Sequence, residues 1–224
     1  MFVLERVLGK RQPVGAPAHR GTAVEAGIAA GLEDLNKPVE ECIDVAVKAF
    51  DTASALSSDP RKEKYRDSIT PMVITGLHEL RQYGKPSGMQ GFVEWKPDGL
   101  RFPIVGYYDF AWEDHGIVLD LKTTEALPSQ IKIPHARQVA LYASRSGNLD
   151  ARLTYTTPKK VATYGLENVK EHLNALHRIA MSVERFLSLS DNPDFFIGMT
   201  APDLESYFWT TPQAKQAAFD IWGI

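Results

Sequence analysis

The spacing of apolar residues changes period along the chain. Residues 20–34 (RGTAVEAGIAAGLED) predict an Ala-rich helix, weakened by its glycines. Residues 38–57 open at Pro38, a favourable first-turn residue, and set Val39, Ile43, Val47 and Phe50 at helical spacing. Residues 60–83 predict another helix, which Pro71 kinks or splits. From Gly88 onward the period shortens to two. Gly88–Trp95, Leu100–Val105, Gly106–Trp112 and Gly116–Thr123 predict successive strands. Asp98-Gly99 is a hairpin signal between the first two, and residues 113–116 form a turn between the last two. Residues 134–146 predict a helix with proline at its start and Gly147 at its end. Strands are expected at 151–157 and 160–165. A long amphipathic helix follows over 167–189, with Val169, Leu173, Leu176, Ala180, Val183 and Leu187 on one stripe. Beyond it, Phe195, Phe196, Tyr207, Phe208, Trp209, Phe219 and Trp222 imply that the tail docks on the body.

Helices, then a β-meander, then helix, strand and helix predict an α/β fold: a single domain, 1–224, with a central mixed β-sheet flanked by helices. Residues 1–84 would be its helical part, 85–165 its sheet core with the active site, and 166–224 its C-terminal helices.

Composition narrows the function classes. A chain of 224 residues with 44% hydrophobic and 24% charged residues can bury its own core, which excludes long disorder. No apolar run reaches the roughly 18 residues of a membrane span, and the N-terminus lacks a secretory h-region. The single cysteine, Cys42, excludes an internal disulfide, an iron–sulfur cluster and a Cys-rich zinc site. These features imply a reduced, cytoplasmic setting with no membrane partner. A net charge of −3 gives no global pull toward nucleic acid, so such binding would need local basic patches or metal ions bridging acids to phosphate.

Asp120 and Lys122 carry the strongest chemical signal. In GIVLDLKTT, alternation puts Ile117, Leu119 and Leu121 on one strand face and Val118, Asp120 and Lys122 on the other. Asp120 and Lys122 would project about 7 Å apart. In GYYDFAW, Asp109 would share a face with Tyr107 and Ala111. The short turn makes the two strands antiparallel neighbours, which brings Asp109 to Asp120. Two carboxylates at one point repel unless a cation lies between them. A hard divalent ion suits them, and a neighbouring lysine could orient and deprotonate a water or steady a developing phosphorane charge. Edge strands also carry charges against aggregation, but this pair sits in an apolar run, where charge is costly.

Two further sets are weaker alone. Gln138 and Tyr142 lie i, i+4 on one helix face, flanked by His135 and Arg145, and suit contact with a phosphate or base edge; a plain polar stripe is the alternative. Glu25 sits among small and apolar residues and needs a partner, unless it is a surface glutamate. His19 and Arg20, ahead of that helix, could meet a phosphate at its N-terminus.

In order, RGTAVE (20–25), GYYD (106–109), DLKTT (120–124) and QVALY (138–142) resemble the RecB-like exonuclease branch of the PD-(D/E)XK nuclease superfamily. The match spans roughly residues 15–160. The resemblance implies a restriction-endonuclease-like core and a Mg²⁺- or Mn²⁺-dependent deoxyribonuclease using one or two ions. Glu25, Asp109, Asp120 and the Leu121 backbone carbonyl would face the metal. Glu25, Asp109, Asp120 and Lys122 would form the catalytic set, with Lys122 the catalytic lysine. Gln138 and Tyr142 would position the DNA strand, and Thr123 and Thr124 would contact phosphate. With one cysteine, the chain is similar to cluster-free phage or mitochondrial exonucleases. It carries no G-x-x-x-x-G-K-[ST] helicase motif, so it would act alone or beside a helicase or recombination partner that opens the duplex.

The implied partner is DNA, single-stranded or at duplex ends, in a bacterial or phage-infected cell. Lys10, Arg11, Arg20, Arg61, Lys62, Lys64, Arg66, Lys132, Arg137, Arg145, Lys159 and Lys160 could line a strand path, with Tyr65 and Tyr83 stacking bases. The 61–66 cluster reads better as a solvated helix face paired with Asp59, Glu63 and Asp67. A structure-specific or restriction-type endonuclease, a catalytically silent DNA-end-binding module, and a purely structural Asp120–Lys122 ion pair are the alternatives.

Overall fold

A computed structural model describes residues 1–145, 150–209 and 211–224. Its fold is α/β, with one five-stranded mixed sheet flanked by helices. Residues 15–181 form one compact unit; residues 1–14 and 182–224 form another.

The first unit begins with α1 (Ala16–Glu33), α2 (Val39–Ala53), α3 (Lys62–Asp67) and α4 (Ile69–Leu80). Helix α1 starts four residues earlier than expected, because Pro17 fits its first turn, where a missing N–H costs nothing. His19 and Arg20 therefore lie within the helix rather than ahead of it. The break in the 60–83 segment falls at Ser68, and Pro71 sits in the first turn of α4. The glycines of α1 serve packing. A Cβ on Gly27 would stand 2.6 Å from the Cys42 carbonyl oxygen, and one on Gly31 would stand 2.6 Å from Leu77 Cδ2. Their absence lets α2 and α4 close on α1.

The sheet follows as β1 (Gly88–Trp95), β2 (Ile104–Trp112), β3 (Ile117–Thr123), β4 (Asp150–Thr156) and β5 (Val161–Gly165), in spatial order β1-β2-β3-β4-β5. The β3–β4 pair is parallel and the others are antiparallel. Parallel neighbours need a crossover, which α5 (Ile133–Ala143) supplies. The expected helix end at Gly147 lies outside the described residues.

The two strands expected at 100–105 and 106–112 are one strand, β2, preceded by a loop. Gly106 does not mark a turn. It lies under α5, where a Cβ would stand 2.9 Å from Tyr142 Cε1. The turn is at Gly99, whose φ of +85° suits glycine.

Helices cover both sheet faces. Val24, Ile28, Phe50, Met72 and Leu77 pack against Phe110, Trp112, Ile117, Leu119 and Leu121. On the other face Val139, Leu141 and Tyr142 pack against Tyr108, Val118, Leu153 and Tyr155. Partly buried Val169 and Leu176 of α6 (Val169–Leu187) join the second cluster. The second unit includes α7 (Phe195–Met199) and α8 (Pro212–Trp222). Leu4, Trp209, Ala214 and Ala218 form its core, and the Trp222 indole donates to the Ile197 carbonyl at 3.1 Å. Its Phe195, Phe208 and Phe219 are exposed. Among the described residues no helix is long and apolar enough to cross a membrane.

Gly27→Ala tests the close approach of α1 and α2. Helix propensity alone would raise stability by about 1 kcal/mol. The contact with the Cys42 backbone is expected to reverse this, with a net loss of about 1–3 kcal/mol in thermal or denaturant unfolding.

Candidate active site

Strands β2 and β3 pair Trp112 with Ile117, Ala111 with Val118 and Phe110 with Leu119. One step further this register sets Asp109 opposite Asp120, where the ladder stops. Asp109 Oδ2 instead accepts the Leu121 backbone N–H at 2.7 Å. The alternation of β2 also breaks here. Tyr108 packs in the cluster with α5, whereas Phe110 packs in the cluster with α1, α2 and α4. Regular alternation would give 108 and 110 the same face. The expectation that Asp109 shares a face with both Tyr107 and Ala111 therefore fails. Ala111 is buried in the α5 cluster, while Tyr107, next to inward-facing Tyr108, is 58% exposed.

The first signal in the sequence is present as expected. Asp120 lies on the central strand, 1% exposed, and Lys122 Nζ is 2.6 Å from its Oδ2. That oxygen is buried, and the Lys122 ammonium is its ion-pair partner. Asp109 is 8% exposed. Glu25 reaches the same place from α1.

Electrostatics binds the three acids into one site. Burial pushes the Asp109 carboxyl up to about 8, helped by Asp120 and Glu25 and opposed by the Leu121 N–H and Lys122. Burial, then Asp120, pushes Glu25 up to about 7, with Lys122 opposing. Burial also raises Asp120 against the pull of Lys122. The site thus holds more negative charge than its surroundings readily neutralise.

Helix α5 adds the expected polar pair. Gln138 Nε2 donates to the Tyr142 hydroxyl at 2.7 Å. Burial and then Asp120 raise the Tyr142 phenol, so it stays protonated and its own hydrogen remains for donation. His135 Nδ1 meets the Tyr155 hydroxyl at 2.8 Å. Burial lowers its pKa, as do Lys122 and Lys132, which favours the neutral imidazole. Thr124 is tied to backbone, its N–H donating to Thr156 O at 2.9 Å and its hydroxyl to Ala126 O at 3.1 Å. Thr123 ends β3 beside α1; a Cβ on Gly21 would stand 3.6 Å from its Oγ1.

Other candidates already have partners. Arg20 is 3% exposed; it donates to Glu125 and lies 4.7 Å over the Tyr65 ring. Tyr65 is itself buried, so it offers no face for a base. In the 61–66 cluster, Arg61 meets Asp59 at 3.0 Å, Arg66 meets Asp51 at 2.7 Å, and Lys64 is 3.8 Å from Glu125. Asp51 and Glu125 are partners the sequence did not suggest. Tyr83 packs on Trp112 at 5.3 Å and accepts from Arg152 at 3.1 Å. Arg145 donates to Tyr108 at 2.9 Å and pairs with Glu113 at 2.9 Å.

Sequence reasoning missed Gln90. Its side-chain amide donates to Glu25 Oε1 and, at 3.4 Å, to Asp109 Oδ1. Its φ is +51°, a left-handed conformation that costs a non-glycine residue about 1–2 kcal/mol. Only its polarity inside a strand marked it.

Among the described residues, no three His, Cys, Asp or Glu side chains form a ready metal-holding group. The Lys122 ammonium lies on Asp120 Oδ2, and the Gln90 amide reaches one oxygen each of Glu25 and Asp109. The donors themselves are hard oxygens, the class that takes Mg²⁺ or Mn²⁺.

No family model matches the chain. No curated protein matches it. Among solved structures, one titled "Crystal structure of SSO0001" is similar at 14% identity, covering 94% of this chain and 96% of that one, with a TM-score of 0.41.

The raised acids give a pH dependence. Such a carboxyl keeps its proton in the folded state over a range where the unfolded chain, with ordinary values near 4, has released it. The stability this contributes is complete below about pH 4. It is lost as pH rises through about 7 for Glu25 and about 8 for Asp109. In EDTA, this site is expected to lower the melting temperature between pH 5 and pH 8.5. Asp109→Asn should flatten much of that fall, and equal slopes for wild type and variant would contradict the assignment.

Proposed function

We propose that this protein is a Mg²⁺- or Mn²⁺-dependent deoxyribonuclease acting as an exonuclease on single-stranded DNA or duplex ends. The observation that carries the reading is the meeting of Glu25, Asp109, Asp120 and Lys122 where β2 and β3 part, with Asp120 Oδ2 buried against the Lys122 ammonium. A fold gains little from two buried carboxylates with a third, half-buried, beside them, so a cationic ligand is the simplest account of them.

In this reading Glu25, Asp109, Asp120 and the Leu121 carbonyl hold one or two divalent ions. A bound ion would polarise the scissile phosphate and lower the pKa of an attacking water. Lys122, paired with Asp120, orients that water and donates to a phosphate oxygen as negative charge grows there. Tyr142, positioned by Gln138, offers its hydroxyl proton to the strand. Phe92 and Tyr107 are 51% and 58% exposed, with ring centroids 5.4 Å apart on neighbouring strands. They offer faces on which unpaired bases stack, which favours single strands. Work in DNA repair, recombination or phage DNA processing in a reduced cytoplasm, beside a partner that opens duplex, completes the proposal.

The ion pair of Asp120 with Lys122 is also what a purely structural role would look like. End-labelled linear single strands and a circular control, incubated with EDTA, Mg²⁺ or Mn²⁺, separate the readings. Metal-dependent loss of linear DNA alone is expected. Lys122→Ala should lower the rate by about 10²–10³-fold while the protein still melts cooperatively. Cleavage of the circle would make it an endonuclease. Binding without turnover would make it an end-binding module, and full activity in Lys122→Ala would overturn the assignment.

A further inference from the structure

We propose that Gln90 is a positioning residue of this site: its side-chain amide bridges Glu25 and Asp109 and fixes the spacing at which they take up a divalent cation. The inference rests on the metal-dependent reading above, but different observations carry it. The register of β1 and β2 pairs Met89 with Phe110 and Gly91 with Tyr108, so Gln90 stands opposite Asp109. That position makes no rung of the ladder. The backbone instead turns into the left-handed region, φ +51°, which a residue other than glycine keeps only when its surroundings hold it there.

The geometry around it supplies that hold. Tyr108 lies over the adjoining backbone so closely that a Cβ on Gly91 would stand 2.1 Å from its ring carbon Cζ. Tyr108 in turn receives a hydrogen bond from Arg145 at 2.9 Å. With the strand pressed in this way, the Gln90 side chain reaches both acids. One amide nitrogen has two hydrogens, one for each carboxylate.

Glu25 and Asp109 sit on different elements, α1 and β2, and like charge drives them apart. A neutral bridge between them opposes that drift without adding a charge. It does for the resting site what a cation does on binding, and it leaves the oxygens near each other when the cation arrives. Partners of this kind, one step behind the ligands, typically change metal affinity 10–100-fold.

Gln90→Gly removes the amide and keeps a residue that accepts this φ. Calorimetric titration with MnCl₂ alone is expected to give a Kd at least tenfold weaker than that of the wild type. Cleavage of single-stranded DNA should return to the wild-type rate at saturating Mn²⁺, because the residue acts through the acids and not on the phosphate. Gln90→Glu provides a second measurement by melting alone. It replaces the bridge with another carboxylate, so its melting temperature in EDTA at pH 8 should fall below wild type and its rise on adding Mn²⁺ should exceed wild type.

An unchanged Kd in Gln90→Gly overturns the proposal, as does a lowered rate at saturating Mn²⁺ with unchanged Kd. Melting of Gln90→Glu that matches wild type with and without Mn²⁺ also overturns it. If the wild type itself takes up no Mn²⁺, the metal-dependent reading falls and this proposal with it, a result distinct from failure of the variants alone.

Discussion

Carboxylates gathered out of water repel one another, and the centre of the sheet is arranged around that repulsion. Asp109 and Asp120 face each other by register, and the strands part at that step rather than close it. Each acid is then met by a donor of a different kind. Asp109 takes the Leu121 amide, which the parted ladder leaves without a strand partner on that side. Asp120 takes the Lys122 ammonium. Glu25 takes the Gln90 side chain, which also reaches Asp109. These donors are only partly sufficient, as the raised carboxyl pKa values near 7 and 8 record. The region is a local loss of stability that the surrounding core must offset.

Two features of the surrounding fold make the convergence possible. The first is close helix packing. Gly27 and Gly31 let α2 and α4 press on α1, which anchors the helix that carries Glu25 against the sheet. The second is the parallel β3–β4 pair. It demands a crossover, and that crossover is α5, the helix bearing Gln138 and Tyr142. The central position of β3 follows from the same topology. It buries Ile117 through Leu121 on both faces, so a charge at 120 lies in low dielectric, where its neighbours act on it strongly.

The sequence made the centre of this arrangement legible because alternation is a strong signal in a buried strand. Asp120 and Lys122 stood out against IVLDLK, and a short turn was enough to set Asp109 beside them. The helix between two apolar strands likewise announced the crossover. What escaped was whatever depends on contacts distant in sequence. Gly106 looked like a break because glycines end strands, yet its role is to admit Tyr142. Tyr65 looked like a stacking residue, but it is buried beneath Arg20. Pro71 implied a kink or split at its own position, but the break lies at Ser68, because a proline is accommodated in a first turn. Gln90 had no local mark beyond polarity. Its left-handed backbone is set by Tyr108 across the strand pair and its partner Glu25 is on a separate helix, so no pattern of neighbours could reveal it.

One donor on these acids bears directly on the proposed chemistry: the Lys122 ammonium, held on Asp120 by ion pairing at the end of a flexible side chain. In the proposed reading Glu25, Asp109 and Asp120 would hold a divalent ion, and Lys122, two residues along the strand from Asp120, would remain beside the site with its charge released from that carboxylate. That is where an attacking water and a phosphate oxygen would meet it. In this reading the same short separation that lets Lys122 neutralise Asp120 in the resting protein places it to act once the acids are otherwise engaged. The stabilising contact and the catalytic one are then successive uses of a single spacing, two residues along a central strand.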